Sequence, residues 1–136
     1  MSSEMMYERE EIALKIRKFI ESLNHECNGG AIVIVEGKKD GIALREVGFN
    51  GEILVYNNFK GIINFVDYVS RKGRKVILLL DRDRRGRTLT SKILKKLELL
   101  CPHDGLYYKK RFVKITHGKI MCIENLSNFS LPFIEN

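Results

Sequence analysis

Residues 76–86 read VILLLDRDRRG. Branched apolar residues run up to Leu80, then Asp81 and Asp83 follow, with Gly86 three residues beyond. Residues 31–40 read AIVIVEGKKD and repeat the plan, with Glu36 closing the apolar run. Strands apolar on both faces belong to a parallel sheet covered by helices on both sides. Strand side chains alternate, so an Asp-x-Asp pair leaving a strand points both carboxylates the same way. Carboxylates held that close repel each other, and a cation or a proton must compensate.

Outward from these runs, the chain alternates. Ile12, Ile16, Phe19, Ile20 and Leu23 recur at helical steps and predict a helix over 7–24. Strands are expected at 31–36, 52–56 and 75–80, and helices at 40–47, 59–70 and 88–100. Residues 110–115 read as a fourth strand and 119–123 as a fifth extended piece. Alternating strands and helices mean βαβ units. The expected fold is α/β: three layers around a mostly parallel four-stranded sheet, order 2-1-3-4. That order sets strand 1 beside strand 3, so Glu36, Asp81 and Asp83 share one crevice at the carboxyl ends, where such sheets bind ligands. The chain of 136 residues reads as a single domain, with a core at about 31–115 and a C-terminal extension over 116–136.

Charge narrows the partners. Residues 71–96 hold eleven Lys/Arg against only Asp81 and Asp83, a local +9 that leaves the remaining chain at −2. A localised basic stretch is the electrostatic footprint of a nucleic-acid ligand. Lys38, Lys39, Arg82, Arg84, Arg85 and Arg87 flank the acids and are the candidate phosphate contacts, with Lys38, Arg84 and Arg87 favoured for their closeness to the acids or the helix start. Gly37 and Gly86 are the candidate turn residues. A hard cation suits such carboxylates, so Mg2+ is the expected cofactor, with Mn2+ as a substitute. The longest uninterrupted apolar stretch, Val76–Leu80, is far short of a membrane span. The N-terminus is polar and acidic, and the three cysteines form no CxxC pair. A soluble, cytoplasmic protein without membrane partners, monomeric or homodimeric, is expected. His25/Cys27 and Cys101/His103 are spaced too tightly for a usual zinc knuckle and read as ordinary loop residues.

The two segments together resemble the Toprim domain, the catalytic module of type IA and type II topoisomerases, bacterial-type primases, OLD-family nucleases and a ribosomal-RNA-maturing ribonuclease. Its pattern is a glutamate closing strand 1 and a DxD closing strand 3. VEGKKD, with Asp40 four positions after Glu36, is most similar to the primase and ribonuclease versions, and the short chain resembles stand-alone archaeal Toprim proteins. The resemblance implies Glu36 as general acid/base or metal ligand, and Asp81 and Asp83 as Mg2+ ligands. Topoisomerase versions carry a further acid where this chain has Arg85, which implies a weaker or single metal site. The glycine-rich turn many relatives have after strand 2 is reduced to NNFKG (57–61).

A topoisomerase needs a tyrosine on a separate strand-gating domain, and a response receiver needs its acidic pair after strand 1. No P-loop or GxGxxG is present. Two readings survive: a Mg2+-dependent phosphodiester enzyme, a nuclease on RNA or DNA, and an accessory subunit that binds nucleic acid and turns nothing over.

Overall fold

Ile32–Val35 forms β1, whose four residues are all buried. It takes the centre of the sheet because it has no polar face to offer water. β2 (Ile53–Val55) pairs with it in parallel on one side and β3 (Val76–Leu78) on the other, giving the order β2-β1-β3. Among the described residues the other elements are the helices α1 (Ser3–Asn28), α2 (Lys38–Glu46), α3 (Ile62–Lys72), α4 (Arg84–Leu97) and α5 (Tyr107–Ile115), with one 3-10 turn, Tyr56–Asn58, after β2. The structure is a computed structural model describing residues 3–81 and 83–116, with side chains from Arg9 onward. Arg82, Cys122, the extended piece expected at 119–123 and the extension after Thr116 lie outside the described residues.

Strand alternation divides the core in two. On one face Val33, Val35, Ile77 and Leu79 meet Ile12, Ile16, Phe19 and Leu23 of α1, Leu44 of α2, and Tyr108 and Phe112 of α5. On the other, Ile32, Ile34, Leu78 and Leu80 meet Phe65, Val66 and Val69 of α3 and Ile93 and Leu97 of α4. Each such side chain, fully buried, contributes roughly 1.5–3 kcal/mol. The three layers expected from the alternating elements are present.

The fourth strand is not. Residues 110–115 belong to α5, because Tyr108, Phe112 and Ile115 recur at helical steps and pack on the α1 face. Phe19 meets both rings, at 5.9 Å and 6.0 Å between centroids. Asp104 starts this helix: its carboxylate accepts from the N–H of Leu106 and of Tyr108. What remains at the fourth position is one parallel bridge between Val76 and His103. The Val76 N–H donates to Pro102 O at 2.9 Å and Val76 O accepts from Asp104 N at 3.2 Å.

All four expected helices start elsewhere than the sequence reading placed them, and two of these shifts, in α2 and α4, bring charge to the site. α4 begins at Arg84 rather than Thr88, because the Asp83 side chain accepts from the Gly86 N–H and caps the helix. α2 begins at Lys38, with the Asp40 carboxylate folded back to accept from the Gly37 N–H at 2.9 Å.

Candidate metal and phosphate site

The register that sets Ile34 against Leu78, carried two residues further, places Glu36 beside Leu80 and one step before Asp81. Leu79 extends the ladder, its N–H donating to Ile34 O at 2.9 Å. Glu36 and Asp81 thus leave neighbouring strands at the same sheet edge. They line one cavity of about 240 Å³ with Gly37, Lys38, Lys39, Asp40 and Asn57. Asn57 reaches it from the turn after β2, where its N–H donates to Glu36 O at 3.0 Å.

Glu36 is only 8% exposed. Its Oε2 lies 3.4 Å from Arg85 Nε, and its buried Oε1 has no hydrogen-bond partner among the described residues. Burial raises the Glu36 pKa above the ordinary carboxylate value; Arg85 opposes this, Asp83 and Asp40 add to it, and Lys109 opposes it. A carboxylate that has lost water and gained like charges binds a proton, or a metal cation, more readily.

Asp83 stands close enough to burden Glu36 electrostatically, but its Oδ1 accepts from the Gly86 N–H at 2.8 Å. Among the described residues, no hydrogen bond engages Oδ2. Gly86 is obligatory: a Cβ there would collide with the Asp81 carbonyl. Among the described residues, no three His, Cys, Asp or Glu side chains gather tightly enough to hold one metal ion. That holds for His25, Cys27, Cys101 and His103 too; His103 Nδ1 instead accepts from Gly105 N–H. The donor set nevertheless fits a hard cation: carboxylate oxygens only, one of them buried and orphaned.

The cations distribute unevenly. Lys38 and Lys39 line the cavity. Arg84, Arg85 and Arg87 occupy the first turn of α4 and are exposed, with Arg85 held to Glu36. Two participants were not assigned from sequence. Lys109 of α5, 9% exposed, sends its ammonium to Asp81 O at 3.3 Å and to Thr90 Oγ1 at 3.2 Å. Lys109 stands just before the stretch read as a strand, 110–115, and nothing in the sequence marks it as buried. Asp40 is the other: it is 5% exposed and lines the cavity, and the spacing after Glu36 did draw attention to it.

The Toprim domain model matches residues 31–115, more than half of the chain. The UPF0292 protein of Thermoplasma volcanium is 42% identical over 99 residues, covering 73% of this chain and 82% of the relative. That of Methanocaldococcus jannaschii is 34% identical over 109 residues, covering 80% and 79%. A solved structure of a protein from Aquifex aeolicus superposes with a TM-score of 0.66 at 26% identity, covering 79% of this chain and 94% of that one. No helix among the described residues is long and apolar enough to cross a membrane. The glutamate after β1 and the aspartates after β3 lie in the matched segment, and the chain belongs to the Toprim domain family, a metal-binding fold associated with nucleic acid.

Proposed function

We propose that this protein is a Mg2+-dependent nucleic-acid phosphodiester enzyme, a nuclease acting on RNA or DNA. The observation that carries the reading is the buried Oε1 of Glu36, without a hydrogen-bond partner among the described residues, in a cavity shared with Asp81. A buried acceptor without a donor costs about 1–3 kcal/mol. A bound cation or a proton in transit removes that cost when it arrives. In this reading Glu36, Asp81 and Asp83 Oδ2, which do not form a closed cluster in the structure, would draw together to hold Mg2+, and the ion would supply Lewis acidity at a phosphate oxygen and neutralise charge on the leaving group. Glu36, its pKa raised by burial, takes or returns the proton of the attacking or leaving oxygen. Lys38 and Lys39 orient the phosphate from the cavity wall, while Arg84 and Arg87 engage neighbouring phosphates from the helix start.

The test is incubation of the full chain with end-labelled single- and double-stranded RNA and DNA, with Mg2+, with Mn2+, or with a chelator. Metal-dependent cleavage that disappears in Glu36→Gln is expected. One observation favours the accessory reading instead: Arg85 already pairs with Glu36, and Asp83 is half committed to capping α4. Binding of the same substrates without cleavage, undiminished in Glu36→Gln, would establish that alternative.

A further inference from the structure

Lysine is almost never buried without a reason, because its ammonium loses water that must be replaced by hydrogen bonds or charge. Lys109 sits on α5, a separate element from the strands and loops that carry the acids, yet its ammonium reaches the backbone of the acidic loop itself. The contact belongs to a connected set. Lys109 Nζ donates to Asp81 O and to Thr90 Oγ1. Thr90, 4% exposed, donates its hydroxyl to Gly86 O at 2.7 Å. The Gly86 N–H donates to Asp83 Oδ1, and the Gly86 Cα packs so closely on the Asp81 carbonyl that no side chain fits between them. Both aspartates are therefore tied to the same glycine turn. Lys109 is the link that ties the turn to the other face of the sheet, where α5 packs on α1.

We propose that Lys109, acting with Thr90, is a positioning residue that holds the Asp81 peptide against α4 so that Asp81 and Asp83 are presented together to a divalent cation. The proposal rests on the metal-site reading above. Two features support it beyond the hydrogen bonds. With its carbonyl taken by Lys109, Asp81 still lines the cavity with Glu36, so the peptide is anchored on one side while the residue serves the other. Lys109 also lies near enough to Glu36 to act on it, and so offsets part of the repulsion among acids crowded at one edge. Groups that orient ligands without touching the metal typically govern about 10–100-fold of metal affinity.

The experiment uses the full chain with Lys109→Met, Thr90→Val and Thr90→Ser. Mn2+ affinity is measured by calorimetry, and amide exchange of residues 83–87 by mass spectrometry without metal. Methionine fills the volume of the lysine stem, and exchanging a buried charge for an apolar isostere leaves many folds intact. Expected are a loss of about tenfold in Mn2+ affinity for Lys109→Met and Thr90→Val, and affinity within about twofold of the parent for Thr90→Ser, which keeps the hydroxyl. Exchange at 83–87 should quicken about tenfold in Lys109→Met while the α1 amides stay protected. If the parent binds Mn2+ and both Lys109→Met and Thr90→Val bind it equally well, the positioning role is overturned. If the parent binds no Mn2+, the metal-site reading has failed separately, and unchanged exchange at 83–87 would then overturn the positioning role as well.

Discussion

Glu36 carries two opposed interactions, and their sizes decide its behaviour. Its ion pair with Arg85 involves a guanidinium side chain that is 76% exposed, so water screens it to about 0–1 kcal/mol. Its buried Oε1, unpartnered among the described residues, costs about 1–3 kcal/mol. Burial wins, which is why the carboxyl pKa moves up despite the arginine. A carboxyl whose folded pKa exceeds its unfolded one favours the fold below the unfolded pKa, and that contribution is lost as pH rises through the folded pKa. At pH 7 without metal, Glu36 is therefore a net burden. Glu36→Gln is expected to melt higher than the parent at pH 7, and the gap should close as pH falls to about 4, where Glu36 is itself protonated. Melting curves across that range, followed by circular dichroism, check this. The place of Glu36 and the DxD pair at the ends of strands was legible from sequence, because an apolar run ending in an acid marks a strand end. Lys109 was not, because burial of a lysine depends on partners distant in the chain.

At the scale of elements, α4 and α5 decide how the acids are displayed. Asp83 serves as the cap of α4, and capping and cation binding make different demands on it. A cap needs any side-chain oxygen, which asparagine supplies, whereas a hard cation needs the charge. Asp83→Asn is expected to leave stability within about 0.5 kcal/mol, and Asp83→Ala to cost about 1 kcal/mol in urea unfolding. Both should weaken Mn2+ binding in calorimetry. Equal stability loss in the two variants would contradict the cap. The start of α4 was misplaced from sequence because Arg84–Arg87 has no apolar periodicity; the signal available was Asp83 itself as an N-cap residue. The α5 error has a different cause. In the expected strand 110–115, KRFVKI, apolar residues fit either period; the wider frame of Tyr108, Phe112 and Ile115 distinguishes the helix. That correction removes a strand, and it also places Lys109 beside Asp81.

Across the whole molecule, the basic stretch 71–96 divides between two ends of the sheet. Arg71, Lys72, Arg74 and Lys75 precede β3, at the end opposite Glu36, because all strands run parallel. There Arg71 pairs with Asp67, Arg74 with Glu52 and Lys75 with Glu26, while Lys72 lies over the Tyr68 ring. The arginines at the start of α4 stand by the acidic edge. A count along the sequence merged two groups that folding separates. If nucleic acid lies across the acidic edge, Arg84→Ala and Arg87→Ala should each lower the slope of log affinity against log salt by about 0.7–0.9. Arg71→Ala and Lys72→Ala should leave it unchanged. Fluorescence anisotropy at several salt concentrations reads the difference. The Glu36–Arg85 tether lies at the water-facing margin of the pocket, with the arginine side chain 76% exposed. So shallow a bond yields to any stronger counter-charge, and the displaced guanidinium stays on the rim where polyphosphate would lie. If a cation loads the pocket, the rim is readied in the same event, with little of the fold's stability at stake.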